Sequence, residues 1–237
     1  MGIFEHVSPL VFRYIPKDEE LSDELKGYGD LDIFSRLQRI VPEVVVPRLY
    51  SLEGKVIDFS NENRDKIIPR RIDGIHEGTT TVSEVFSNYA ERLKGRIKDI
   101  ERLDLDFNLR ESKRNDLVSD LVYFLTSVFS VEANMANDIR HHFRSGIDEF
   151  VHEDFGGGRI GSSTMPHKRN PVEYENIVSL WKVYVPRVTS AIMAQLTEHQ
   201  GDSTNDFLLD NSFELAVALS YSTKYLEKNL GNLKVNV

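Results

Sequence analysis

The residues best equipped for chemistry stand together between Asp154 and Glu175. Three consecutive glycines, Gly156, Gly157 and Gly158, form a hinge with almost no backbone preference. Two hydroxyls follow, Ser162 and Ser163, then the Lys168 cation and the Asn170 amide. Glu175 lies one turn into the helix expected after Pro171. A nucleophile or base, a cation and an amide beside such a hinge read as a lid closing over an anionic substrate. The competing reading is a polar surface loop that caps a helix, since function on loops is a tendency and not a rule. His141, His142 and His152 lie close in sequence, but no carboxylate or Cys spacing completes a metal site. They read as solvated helix residues, and neither a metal nor another cofactor is expected.

Composition narrows the setting for that chemistry. With 237 residues, 40% of them apolar and 28% charged, the chain can bury a sizeable core as one large or two small domains. A formal charge of -9 argues against a general nucleic-acid binder, which must neutralise phosphates with Lys and Arg. A local basic pocket for one small anion remains compatible with it. The absence of cysteine excludes disulfides, thiolate catalysis and Cys-based zinc sites. Residues 1–14 contain no signal-peptide core, and no apolar run reaches the length of a membrane span. The expectation is a soluble, cytoplasmic protein that partners neither nucleic acid nor membrane.

The elements that must position these residues are helices. Apolar residues at Val82, Val85, Phe86, Tyr89, Leu93, Ile97, Ile100 and Leu103 fall on one helical stripe. Thr79, Thr80 or Thr81 can cap that helix, with Glu84 completing a capping box after Thr81. A second stripe runs through Leu117, Leu121, Leu125, Val128, Val131 and Met135 to Ile139. A third helix is expected from Pro171 to about Gln200, kinked at Pro186, and a fourth from Asp206 to Leu230 with Gly231 as its cap. Residues 31–63 also read as helical, with Pro42 and Pro47 as breaks or kinks. Residues 1–30, 67–80 and 154–170 read as non-helical, and long loops in a helical domain are usually functional. The architecture is a bundle of long helices with its chemistry on the loops.

The order of residues in the central loop adds a resemblance. The run Gly161-Ser-Ser-Thr-Met-Pro-His-Lys-Arg-Asn-Pro171, with Glu175 and Asn176 beyond it, resembles the signature of the fumarase/aspartase superfamily of lyases. Its His-Lys-Arg-Asn-Pro form is most similar to the adenylosuccinate lyases. Other stretches agree in order: Ser8-Pro9 with Arg13-Tyr14, Gly74-Ile75-His76 with Thr80-Thr81, Ala136 to Arg140, and Glu198 to Asn205. The resemblance implies an all-α long-helix bundle of the fumarase/aspartase type. It assigns Ser163 as the base, Lys168 and Asn170 as contacts to substrate carboxylates and ring, and Glu175 as the residue orienting a catalytic histidine. Ser162, Met165 and Thr80 join them as substrate contacts, and Arg13 and Tyr14 hold the nucleotide phosphate. It further implies a homotetramer whose active sites combine loops of several subunits. The substrates would be adenylosuccinate and the succinylated imidazole carboxamide ribotide of purine nucleotide biosynthesis, each eliminated to fumarate. A serine serves as base only if loop closure surrounds its alkoxide with N–H donors and a cation such as Lys168.

The departures from that pattern carry equal weight. Where the family places its general-acid histidine the chain has Asp73, which leaves His76 as the next candidate for a catalytic histidine. The first conserved block finds no match between Tyr14 and Pro47, and the C-terminal domain has no counterpart. The domain reading is therefore 1–42 as an N-terminal remnant bearing the Arg13-Tyr14 pair and 43–237 as the central bundle, in an incomplete or degenerate version of the family pattern. Two alternatives accompany it: another lyase of the superfamily, acting on argininosuccinate, fumarate or aspartate, and a non-catalytic helical scaffold.

Overall fold

The computed structural model describes residues 23, 25–28, 30–152, 170–198 and 201–237, the side chains of 206–210 excepted. Arg13, Tyr14, Ser162, Ser163, Met165 and Lys168 lie outside the described residues. Helix α1 (Ile33–Ile40) begins where the Asp32 carboxylate accepts the N–H groups of Phe34 and Ser35, two donors that no earlier turn could satisfy. It continues through a widened turn, Val41–Val45, into α2 (Val46–Glu62). Pro42 and Pro47 do not break this run. In the widened turn the Val46 N–H reaches back to the Val41 carbonyl, a longer loop that gives the proline ring room and asks no donor of it. The boundary read after residue 42 falls inside this continuous run.

Residues 67–80, expected to be a non-helical loop, form a β-hairpin of β1 (Ile67–Ile72) and antiparallel β2 (Ile75–Thr81). Its two-residue turn has φ of 52° at Asp73 and 82° at Gly74. Positive φ at both positions matches the right-handed twist of the flanking strands, and Asp-Gly is a sequence suited to it. Helix α3 (Val82–Glu101) follows directly. As expected, the Thr81 hydroxyl accepts the Glu84 N–H, but the Glu84 carboxylate takes the Thr80 hydroxyl in place of the cap's own backbone. Of the anticipated stripe of α3, Val82, Phe86, Tyr89, Leu93, Ile97 and Ile100 are buried, while Val85 and Leu103 are partly buried.

Helix α4 (Glu111–His142) is followed by β3 (Phe150–His152). The helix expected after Pro171 is two, α5 (Val172–Tyr184) and α6 (Arg187–Met193), separated at Pro186. It stops short of Gln200, and Asn115 of α4 donates its amide to the Ala194 carbonyl at 2.9 Å, satisfying an acceptor that the helix end leaves open. Helix α7 (Asp206–Gly231) leads into β4 (Leu233–Val235), which pairs antiparallel with β3.

Helices α3, α5, α6 and α7 all pack on α4. That explains why α4 buries Val118, Val122, Phe129 and Ala136 in addition to its expected stripe. Helix α7 is enclosed further, with every residue from Ser212 to Thr223 buried. The all-α bundle of long helices read from the sequence is the architecture observed, with two small two-stranded sheets at its loops among the described residues. No described helix is long and apolar enough to cross a membrane.

Candidate functional site

The two stems of the 153–169 segment are pinned together. His152 closes β3, Tyr174 stands in the first turn of α5, and His152 Nε2 lies 3.0 Å from the Tyr174 hydroxyl with both side chains buried. The same hydroxyl stands 3.4 Å from the Asn229 carbonyl of α7, which brings a third element to the pair. Burial pushes the Tyr174 phenol well above its ordinary range and keeps it neutral. Phe143 packs against both rings. The described residues on either side of 153–169 therefore meet at one point of the bundle.

Two candidate residues frame the end of that segment. Asn170 is exposed. Glu175, half-exposed on α5, has the Arg140 guanidinium of α4 at 3.8 Å, an ion pair beyond hydrogen-bond reach. No histidine is among the described partners of Glu175.

The hairpin carries the rest. Asp73 occupies the exposed apex of the turn, where its short side chain tolerates the left-handed backbone. It fills a turn position and faces no described partner. His76 lies directly across the hairpin from Arg71 in the strand register, and Arg71 Nε donates to His76 Nε2 at 3.1 Å. The other two nitrogens of the same guanidinium clasp Glu149, with Nη1 2.9 Å from Oε2 and Nη2 on Oε1. Glu149 also receives His142 Nδ1 at 2.6 Å, and the His142 ring stacks on Phe150. Burial pushes the Glu149 carboxyl up, but the hydrogen bonds from Arg71 and His142 outweigh it and hold the group below the usual carboxylate range. His142 and His152 are expected from the sequence to be solvated helix residues; the first is half-buried in this network and the second is buried beside Tyr174. The missed signal is their setting, since both stand beside Phe143 or Phe150 in a segment that must close over the bundle end.

A cleft of about 610 Å³ opens between the hairpin, the start of α3 and the end of α4. Arg70, Arg71, Thr80, Asn88, His141 and Arg144 contribute to its walls. Burial and the Arg144 guanidinium push His141 down, favouring its neutral form. Thr80 and Arg71 thus meet in one cleft, while Asn170 just precedes α5 and Glu175 lies on it, and no hydrogen bond among the described residues joins the two groups.

Comparison with known proteins bears on the same segments. A family model described as Lyase matches residues 74–183, from the hairpin apex to α5. The adenylosuccinate lyase of Pyrococcus abyssi is 35% identical over 147 residues, covering 57% of this chain and 32% of that protein. The N-acetyl-S-(2-succino)cysteine lyase of Enterococcus italicus is 32% identical over 88 residues, covering 37% of this chain and 19% of that one. The structure of a class II fumarase from Schistosoma mansoni superposes with a TM-score of 0.73 at 14% identity, over 86% of this chain and 55% of the other. The chain spans about a third of the length of the first relative and about half that of the fumarase.

Proposed function

Because the chain is a member of the fumarase/aspartase superfamily of lyases, most like the adenylosuccinate lyases, we propose that it serves an elimination that releases fumarate from adenylosuccinate. The observation that carries this reading is the run from Gly161 to Pro171, whose stems the His152–Tyr174 bond holds at one end of the bundle. In this reading Ser163 removes the proton beside a substrate carboxylate and Lys168 balances the charge that builds up there. Asn170, Ser162 and Met165 seat the substrate, Thr80 contacts it from the hairpin, and Glu175 orients a histidine. Arg13 and Tyr14 of the N-terminal segment take the phosphate, and His76 faces the leaving nitrogen. The succinylated imidazole carboxamide ribotide is the second substrate, which places the protein in cytoplasmic purine nucleotide biosynthesis. The site is completed in a homotetramer, which accounts for the hairpin group and the α5 group remaining apart within one chain.

The measurement is the ultraviolet change as adenylosuccinate becomes AMP and fumarate. Turnover that disappears in Ser163→Ala, with helicity unchanged, supports the assignment. Turnover of argininosuccinate or fumarate alone redirects it within the superfamily. A second reading, a non-catalytic helical scaffold, is favoured by Asp73 at the exposed apex where the resemblance places a general acid. Assembly into a tetramer with neither turnover nor fumarate binding would establish that reading.

A further inference from the structure

Histidine 76 is exposed, and an exposed imidazole ordinarily samples several rotamers and both neutral tautomers. Here it is held. Arg71 stands opposite it in the hairpin register, with Nε 3.1 Å from His76 Nε2. Arginine nitrogens only donate, so His76 Nε2 must accept, and the proton of the neutral ring then sits on Nδ1. Arg71 is itself fixed from behind, because Glu149 takes both of its terminal nitrogens and His142 braces Glu149 from the end of α4. Of this group Glu149 is only 7% exposed and Arg71 18%. The Glu149 backbone is fastened too, its N–H to the His142 carbonyl at 3.0 Å and its carbonyl to the Asn236 N–H at 2.7 Å. A bidentate clasp alone would tether the hairpin to the bundle. The third nitrogen, aimed at an exposed ring, serves no tethering purpose.

We propose that Arg71 is a positioning residue that presents His76 as a neutral Nδ1–H hydrogen-bond donor to an anionic or leaving group of the substrate. This rests on the reading of the chain as an elimination enzyme with His76 in its site, and it gives that residue a specific role. A neutral imidazole held in one tautomer polarises and orients by donating a hydrogen bond without surrendering its proton, a role documented for histidine in other enzymes. Lysine cannot replace Arg71, since one ammonium on a flexible stem does not reach a carboxylate and a ring with a fixed fork.

The test is ring-nitrogen NMR of the full chain, with His76→Gln identifying the signal. His76 should show Nδ1 protonated and Nε2 bare. In Arg71→Lys the Nε2–H form, which free histidine prefers, should become the major one. Arg71→Gln combined with Glu149→Gln removes both buried charges together, so it guards against an Arg71 variant that fails to fold, and it should give the same shift. In turnover of adenylosuccinate, both variants should lose kcat roughly 10- to 100-fold, as expected when a contact group is misplaced, with KM changed far less. Predominant Nε2–H in the parent protein, an unchanged tautomer in both folded variants, or a shifted tautomer with kcat intact would each overturn the proposal. A parent protein without turnover counts against the lyase reading, while the NMR result still decides the placement of His76.

Discussion

Among the glutamates buried in the described residues, Glu149 and Glu132 are made opposites by their surroundings. Glu149, at the hairpin end, meets a guanidinium and an imidazole, and those donors hold its carboxyl below the usual range in spite of burial. Glu132 lies in the middle of the bundle, where α4 meets α7, and is fully buried. Its two oxygens face the Ser222 and Thr223 hydroxyls at 2.7 and 2.6 Å, and burial pushes it up to about 8 against the pull of those two hydrogen bonds. The Thr223 hydroxyl has one proton for two acceptors, the Glu132 carboxyl at 2.6 Å and the Leu219 carbonyl at 2.8 Å, and a proton on Glu132 lets that hydroxyl serve both. Burial alone does not decide the charge of an acid; the kind of donor beside it does. The site end of the molecule keeps a charge, and the core suppresses one.

Removing the guanidinium tests the first half of this contrast and should have the largest effect. Arg71→Met leaves Glu149 buried without its cation, and the loss of stability in urea unfolding should be about 3–5 kcal/mol, because an unpaired buried charge is costly. A loss under about 1 kcal/mol would mean that Glu149 relaxes into water and is not the anchor of the hairpin. Titration separates the two acids by sign. The depressed Glu149 contributes stability above the unfolded-state value of about 4.5, lost as pH falls through the lower folded value. The raised Glu132 works the other way: between about 4.5 and about 8 the folded chain keeps a proton that the unfolded chain has lost. Stability should therefore fall by about 1.4 kcal/mol per pH unit across that window. Glu132→Gln, which cannot ionise, should abolish that slope and gain on the parent protein as pH rises. Parallel pH profiles for parent and variant would show that Glu132 is ionised after all.

The contrast also marks what could be read from the residues. The stripe of α3 was legible because Val82 to Ile100 faces one core and its polar residues face outward. The enclosure of α7 was not, since Ser212, Glu214, Ser220, Ser222 and Thr223 interrupt the apolar pattern and are buried all the same. The hairpin was overlooked because Pro69 and Gly78 read as loop residues, whereas the pair Asp73-Gly74 between isoleucines carried the turn signal. Of the candidate site, the run from Gly161 to Pro171 was legible as a pattern of residue types. The Arg71–Glu149–His142 network was not, because its members lie 78 and 7 positions apart and only the fold brings them together. Periodicity registers which face is buried; it is silent on which charges meet.

Two smaller changes extend the ranking to uncharged contacts. Tyr174→Phe removes the hydroxyl that His152 Nε2 meets at 3.0 Å, and losing one partner of a buried neutral hydrogen bond costs about 1–3 kcal/mol, less than the stranded Glu149 charge. Thermal unfolding and exchange of the His152 ring proton would measure it, and a cost equal to that of Arg71→Met would undo the claim that charge sets the order. Least should be Thr81→Ala. The Thr81 hydroxyl satisfies one N–H at the start of α3, at an exposed position where water can replace it. Its loss should cost about 1 kcal/mol and leave the His76 tautomer as it was, because the Arg71 fork, and not the cap at the far end of β2, holds that ring. A Thr81→Ala chain that lost both stability and tautomer would show that the hairpin is positioned from its helix end, and Arg71 would then be a passenger.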